Sequence, residues 1–267
     1  SIERERRPPF DLAFPRDFNT MEQMDFADNV VIREGDVILI SGMSNFGKTT
    51  LCLNLCAENI DKNPVLMGNE YTVLTKDGYE PAPRFVNRLD TMKEWIKWTD
   101  EKGGDKLTLL PVWDDYAEHI VKDKINIIDW INLQGEYYMI SSVMEGIKKA
   151  LGRGIAIIAL QKNEGSTAGR GGAPSKDFAD LELLIDKFGD NDVLLTIGKT
   201  KEYTNPVIGK TYAYTIGGGG TKILEFREVV KCFTCYGKGW KKAGNSTAPC
   251  DTCGKTGYID KKKPVEL

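Results

Sequence analysis

The apolar positions of this chain fall into short unbroken runs. Val37–Ile40, Ile125–Asp129 and Ile155–Leu160 show no polar alternation, which predicts strands buried on both faces, as in a parallel sheet. Between them the spacing changes to that of helices. Residues 48–60 predict a helix with Leu51, Leu55, Cys52 and Cys56 on its apolar side, and residues 91–102 and 138–151 predict two more. Pro64–Met67 predicts a second short strand, and Gly78, Pro81 and Pro83 make residues 71–90 a loop or hairpin. Asp180–Lys187 predicts a short helix, and Val193–Ile197, Thr211–Ile216 and Ile223–Arg227 later strands. The alternation gives an α/β fold, a mainly parallel central sheet flanked by helices. Three parts are expected: a polar, proline-bearing arm or linker over residues 1–30, a main domain over 31–229 and a small module over 230–267.

One motif assigns chemistry to this pattern. Gly42, Met43, Ser44, Asn45, Phe46, Gly47, Lys48 and Thr49 fit G-x-x-x-x-G-K-[ST], after an apolar strand and before a helical pattern. The glycines let the backbone wrap a phosphate with its N–H groups turned inward. The following helix directs its positive end at the same anion. Lys48 then reaches the outer phosphates of ATP, Thr49 ligates Mg²⁺, and Thr50 completes the nucleotide-binding set. Asp129, closing the apolar run Ile125–Asp129, is the matching carboxylate for the Mg²⁺ shell.

Net charge is −3 over 267 residues, but the balance is uneven. Residues 231–263 hold eight lysines and two acids, whereas residues 1–230 hold 28 basic and 36 acidic residues. A basic tail on an acidic body points to an anionic partner. No run reaches the ~18 apolar residues of a membrane span, and the N-terminal residues lack the apolar core of a secretory leader. A cytoplasmic protein without membrane contact is therefore expected. Of six cysteines, four form the pairs Cys232-x-x-Cys235 and Cys250-x-x-Cys253, each followed by glycines. Four thiolates at that spacing close a tetrahedral structural Zn²⁺ site. Nearby lysines, with Trp240 and Tyr258, lean toward phosphate and base contact.

With these motifs placed, the order of the remaining pieces resembles RecA-like P-loop NTPases, most closely the C-terminal motor of DnaB-type replicative helicases. Val65–Glu70 is similar to that family's second strand, which ends in a catalytic glutamate, here Glu70. Asp129–Leu133 is similar to its Asp-Tyr-Leu-Gln-Leu segment, and Ile157–Gln161 to a strand ending in a glutamine that senses the γ-phosphate. Ile197–Lys201 is similar to the strand end that reaches the neighbouring subunit's nucleotide, which implies that Lys199 and Lys201 act in trans. Helicases of this type carry an arginine finger where Lys201 stands; Lys-x-Lys is more like RecA itself. The resemblance implies a Mg²⁺-ATP-dependent homo-oligomer, a hexameric ring or a filament, acting on single-stranded DNA beside primase or other replication proteins. It also implies that the loop Gln161–Lys176 holds DNA through Lys162, Arg170 and Lys176, with Gly135–Met139 and its Tyr137 and Tyr138 as a second axial loop. The cysteine knuckles resemble DnaJ-type and ribbon-type zinc modules. Two other readings fit the same residues: a RecA/RadA-like recombination or mediator ATPase that does not unwind, and a nucleotide-switched scaffold whose zinc module binds a protein.

Overall fold

Both faces of β1 (Val37–Gly42) are buried: Ile38 and Ile40 enter one core, Val37 and Leu39 a second. That is why the run carries no alternation. The computed structural model describes residues 7–68, 70–131, 139–162, 173–244 and 246–261. Six strands of the central sheet run parallel: β1, β2 (Val65–Met67), β5 (Thr108–Leu110), β6 (Ile125–Asp129), β7 (Ile155–Gln161) and β8 (Leu181–Phe188). A small separate hairpin, β3 (Thr72–Thr75) and β4 (Gly78–Pro81), lies between β2 and β5 in the chain. The sheet continues antiparallel through β9 (Asp192–Thr200), β10 (Thr211–Gly217) and β11 (Lys222–Lys231). Beyond them come the hairpin β12 (Trp240–Ala243) and β13 (Ser246–Pro249), and then β14 (Tyr258–Asp260), which returns to the edge of the sheet. The spatial order is β14-β11-β10-β9-β8-β1-β7-β6-β2-β5. The phosphate-loop strand β1 is separated from β6, the strand of Asp129, by β7 alone.

α1 (Lys48–Glu58) and α2 (Pro83–Met92) cover one face, through Leu51, Leu55, Phe85 and Met92. α3 (Ile140–Ala150) and the short α4 (Ala173–Phe178) lie on the other, where Met144 and Ile147 are fully buried and Phe178 packs against them. Among the described residues no helix is long and apolar enough to cross a membrane.

The structure departs from the sequence reading at three places. Residues 181–188 are a strand, not a helix. Leu181, Leu183 and Ile185 pack into the α1 side while the chain hydrogen-bonds β1 and β9. Pairing on both sides overrides the helix preference of Leu and Glu. α2 begins at Pro83, where a missing N–H costs nothing, and ends at Met92, so residues 93–102 are turns. The segment before Val31 is no free arm: Phe14, Met24, Phe26 and Val30 are part of the main core, and Asn59 bonds both the N–H and the C=O of Ala13 at 3.0 and 2.7 Å. The expected module over 230–267 joins the sheet directly: β11 runs into Cys232, and β14 pairs with β11 through Val229–Asp260 and Lys231–Tyr258.

Below β1, Asp180 accepts from the Val37 N–H at 2.8 Å and from Lys148 and Lys201 at 2.6 and 2.5 Å. Burial alone would raise its pKa; these donors outweigh burial and hold it below the usual value. Its neighbour Asp36 is pushed up to about 6, by burial first and then by the Asp180 charge. A carboxyl whose folded pKa exceeds its unfolded value stabilises the protein at low pH and loses that contribution as pH rises from about 4 to about 6. Asp36→Asn is therefore expected to raise stability by about 1–2 kcal/mol at pH 7.5 and to change it little at pH 4. Urea unfolding at the two pH values checks this; equal effects at both would refute it.

Candidate nucleotide site and cysteine cluster

The phosphate loop joins β1 to α1 with Asn45 and Gly47 at positive φ, +64° and +84°. A β-carbon on Gly47 would collide with the Ile216 side chain of β10, so glycine is required there on two counts. α1 starts without a side-chain cap, which leaves its first N–H groups free of side-chain partners. Lys48 is buried and donates to the carbonyls of Gly42 and Met43 at 3.0 and 2.6 Å. Burial lowers its pKa; Asp129, Cys52 and Glu70 push it back up. Lys48, Asp129 and Glu70 thus share one electrostatic neighbourhood although they come from three elements.

Asp129 closes β6, almost wholly buried. Its pKa is raised, by burial first and also by Glu70, while the hydroxyls of Tyr71 and Thr49 and the Lys48 ammonium work against the rise. The Tyr71 hydroxyl donates to Oδ2. Oδ1 is buried and has no well-aligned hydrogen bond among the described residues. An orphaned carboxylate oxygen beside a threonine hydroxyl is what a hard divalent cation requires. Glu70 is exposed after β2, with the Trp130 indole N–H 3.5 Å from its Oε1. Gln161 ends β7 in register with Gly42 and donates to the Ser44 hydroxyl at 2.6 Å. The phosphate loop, Glu70, Asp129 and Gln161 therefore meet at the carboxyl ends of β1, β2, β6 and β7, the edge where open α/β sheets bind ligands.

No protein-family model matches the chain, and no curated protein matches it. Among solved structures, a KaiC-like protein from the hyperthermophilic archaeon Pyrococcus horikoshii OT3 aligns with a TM-score of 0.53. The alignment covers 82% of this chain and 100% of that chain at 16% identity. The fold is RecA-like.

Within the RecA-like fold two parts were not legible as site elements, Tyr71 and the turn that holds α1. Tyr71, which fixes Asp129, follows Glu70 in sequence and carries no motif. Thr50, expected to complete the nucleotide-binding set, donates its hydroxyl to the Gly220 carbonyl at 2.9 Å, and Asn54 donates to the Thr221 carbonyl at 2.9 Å. The turn between β10 and β11 thereby clamps α1, and the run Gly217–Gly220 was its one visible signal.

The candidate DNA and trans-acting residues that are described each have partners within the chain. Lys162 is buried and pairs with Asp186 at 2.5 Å, so it is not displayed on an exposed loop as the sequence suggested. Lys176 is half-exposed and lies 3.6 Å from the buried Glu182. Arg170, Tyr137 and Tyr138 lie outside the described residues. Lys199 donates to the Lys176 and Asp177 carbonyls at 2.7 and 3.2 Å, and Lys201 is the partner of Asp180. Both trans candidates thus have partners within their own chain.

Cys232, Cys235, Cys250 and Cys253 are all buried, with their sulfurs within 4.8 Å of one another. Cys232 and Cys250 are 3.9 Å apart and Cys235 and Cys253 3.7 Å, far beyond a disulfide bond. Four sulfurs each about 2.3 Å from a central ion lie about 3.8 Å apart, so the cluster fits a tetrahedral thiolate site. The Gly239 and Gly257 N–H groups donate to the Cys235 and Cys253 sulfurs at 3.2 and 3.3 Å.

Proposed function

We propose that this chain is a Mg²⁺-dependent ATPase that works as an oligomeric motor on single-stranded DNA, most like the motor of DnaB-type replicative helicases. The observation that carries the reading is the meeting of Lys48, Thr49, Asp129, Glu70 and Gln161 at one sheet edge around the phosphate loop. In it, the loop N–H groups and Lys48 bind the phosphates, and Thr49 and Asp129 hold Mg²⁺, which neutralises phosphate charge. Glu70 orients and deprotonates the attacking water. Gln161, bonded to Ser44, reports the state of the phosphate loop to the segment that follows β7. The four cysteines hold a structural Zn²⁺ that folds the C-terminal module. Lys199 and Lys201 serve a neighbouring subunit after leaving their present partners.

Steady-state ATP hydrolysis with and without single-stranded DNA tests the motor reading. Strong stimulation supports it; slow turnover indifferent to DNA would refute it and favour the nucleotide-switched scaffold. A RecA/RadA-like ATPase that coats DNA without unwinding is the second reading, favoured by the lysines at 199 and 201. DNA-stimulated turnover without strand separation would select it. Glu70→Gln is expected to lower kcat by about 10²- to 10⁴-fold. Nucleotide affinity should stay within a few-fold, because the exposed Glu70 contacts water rather than the phosphates in this reading. A fluorescent ATP analogue and a turnover assay separate the two effects.

A further inference from the structure

The two cysteine knuckles are internal copies, and their backbones are built alike. Cys232 donates its N–H to the Gly257 carbonyl at 2.8 Å, and Cys250 donates to the Gly239 carbonyl at 2.9 Å. The Lys238 and Thr256 N–H groups close equivalent turns on Cys235 and Cys253, both at 3.1 Å. Thr234 and Thr252 meet across the axis at 3.0 Å. A difference between the copies is therefore a difference the metal site does not need.

Two such differences stand out. Phe233 corresponds to Asp251, and Tyr236 to Gly254. Phe233 is 69% and Tyr236 80% exposed, so neither supports a core. Tyr236 holds φ at +53°, and its counterpart Gly254 holds the same turn at +56°. A side chain in left-handed backbone is strained where glycine is not. The first knuckle thus keeps a large aromatic ring in water at a position that disfavours it. Trp240 is also half-exposed, with the Lys255 ammonium 5.9 Å from its ring. By contrast Tyr258, which the sequence offered as a stacking residue, packs against Phe188 and is only partly accessible.

The net charge around these rings is positive. Residues 231–261 hold six lysines and two aspartates. Lys241 and Lys261 have carboxylate partners, whereas Lys231, Lys238, Lys242 and Lys255 form no ion pair among the described residues. Exposed rings among unpaired cations match a chain of unpaired bases on a phosphate backbone, since bases stack on aromatic faces and phosphates take the lysines. An acidic peptide would use the lysines but would leave the rings without a reason to stay in water.

We propose that the first knuckle, through Phe233, Tyr236 and Trp240, is a stacking platform for single-stranded nucleic acid. The proposal rests on the single-stranded substrate reading above but not on ATP turnover. The test uses the full metal-loaded chain without nucleotide and fluorescein-labelled oligo(dT) or oligo(U), read by anisotropy at two salt concentrations. The variants are Tyr236→Gly and Phe233→Ala. The glycine is what the second knuckle already carries, so metal content and Tm should hold. Each substitution is expected to weaken binding by about 5- to 100-fold. A bromodeoxyuridine oligonucleotide should photocrosslink within residues 232–240. Unchanged affinity in the metal-loaded double variant, or crosslinks only elsewhere, would overturn the platform. Better binding of oligo(U) than of oligo(dT) would keep it and make RNA the ligand. If the parent binds through the knuckle while DNA fails to stimulate its hydrolysis, the motor reading has failed and the platform has not.

Discussion

Lys48→Ala is expected to lower ATP turnover by at least about 10²- to 10³-fold, the scale on which a single preorganised charge acts on a transferring group. The fold should tolerate the change. The ammonium is buried at a cost that shows as a lowered pKa, and its two acceptors are backbone carbonyls. One of them, Gly42, also accepts the Lys162 N–H at 3.0 Å. The variant gives up two hydrogen bonds but also the burial of a charge, so Tm should move by only a few degrees. A radiometric hydrolysis assay beside a thermal melt reads both quantities. Turnover within tenfold of the parent, with an unchanged melt, would mean that Lys48 does not meet the transferred phosphate.

On the proposal that the four cysteines hold Zn²⁺, a strong chelator is expected to unfold the cysteine module, because a four-thiolate site contributes on the order of 10 kcal/mol to so small a fold. The loss should spread, since β14 forms the sheet edge against β11 and begins directly after the second knuckle. Thiol titration resolves the event. Four thiols should become reactive on chelation, while Cys52 and Cys56 stay silent until global unfolding, being fully buried with pKa values pushed up by burial. Replacing Cys250 with serine should reproduce the chelated state. Four reactive thiols before any chelator is added would show that the sulfurs hold no ion.

The residues of the candidate nucleotide site that the sequence offered carry local signals. A glycine-bearing loop, the lysine and threonine after it and an acid closing an apolar strand each occupy a few consecutive residues. Glu70 and Gln161 were placed by order along the chain; Gln161 bonds Ser44 of the loop, and Glu70 lies beside Trp130. What escaped depends on contacts distant in sequence. Leu181–Phe188 carries helix-forming residues and becomes a strand only because β1 and β9 pair with it. Phe14, Met24 and Phe26 sit in a polar, proline-bearing stretch whose burial no periodicity announces. Lys162 sits where a DNA-facing loop was expected, yet Asp186, on another strand, neutralises it in the interior. Pro83 was read as a stop and is a start.

β11 has a property that its place in the sheet order conceals. At one end, the turn into it holds α1 through Thr50 and Asn54; at the other, its last residue precedes Cys232. Ten residues of strand span roughly 33 Å, with one bulge near Glu225. The first turn of the phosphate-binding helix and the exposed rings of the first knuckle are thus mounted on opposite ends of a single girder with no joint between them. A load hung on the knuckle would reach the floor of the phosphate loop along one strand and two hydrogen bonds.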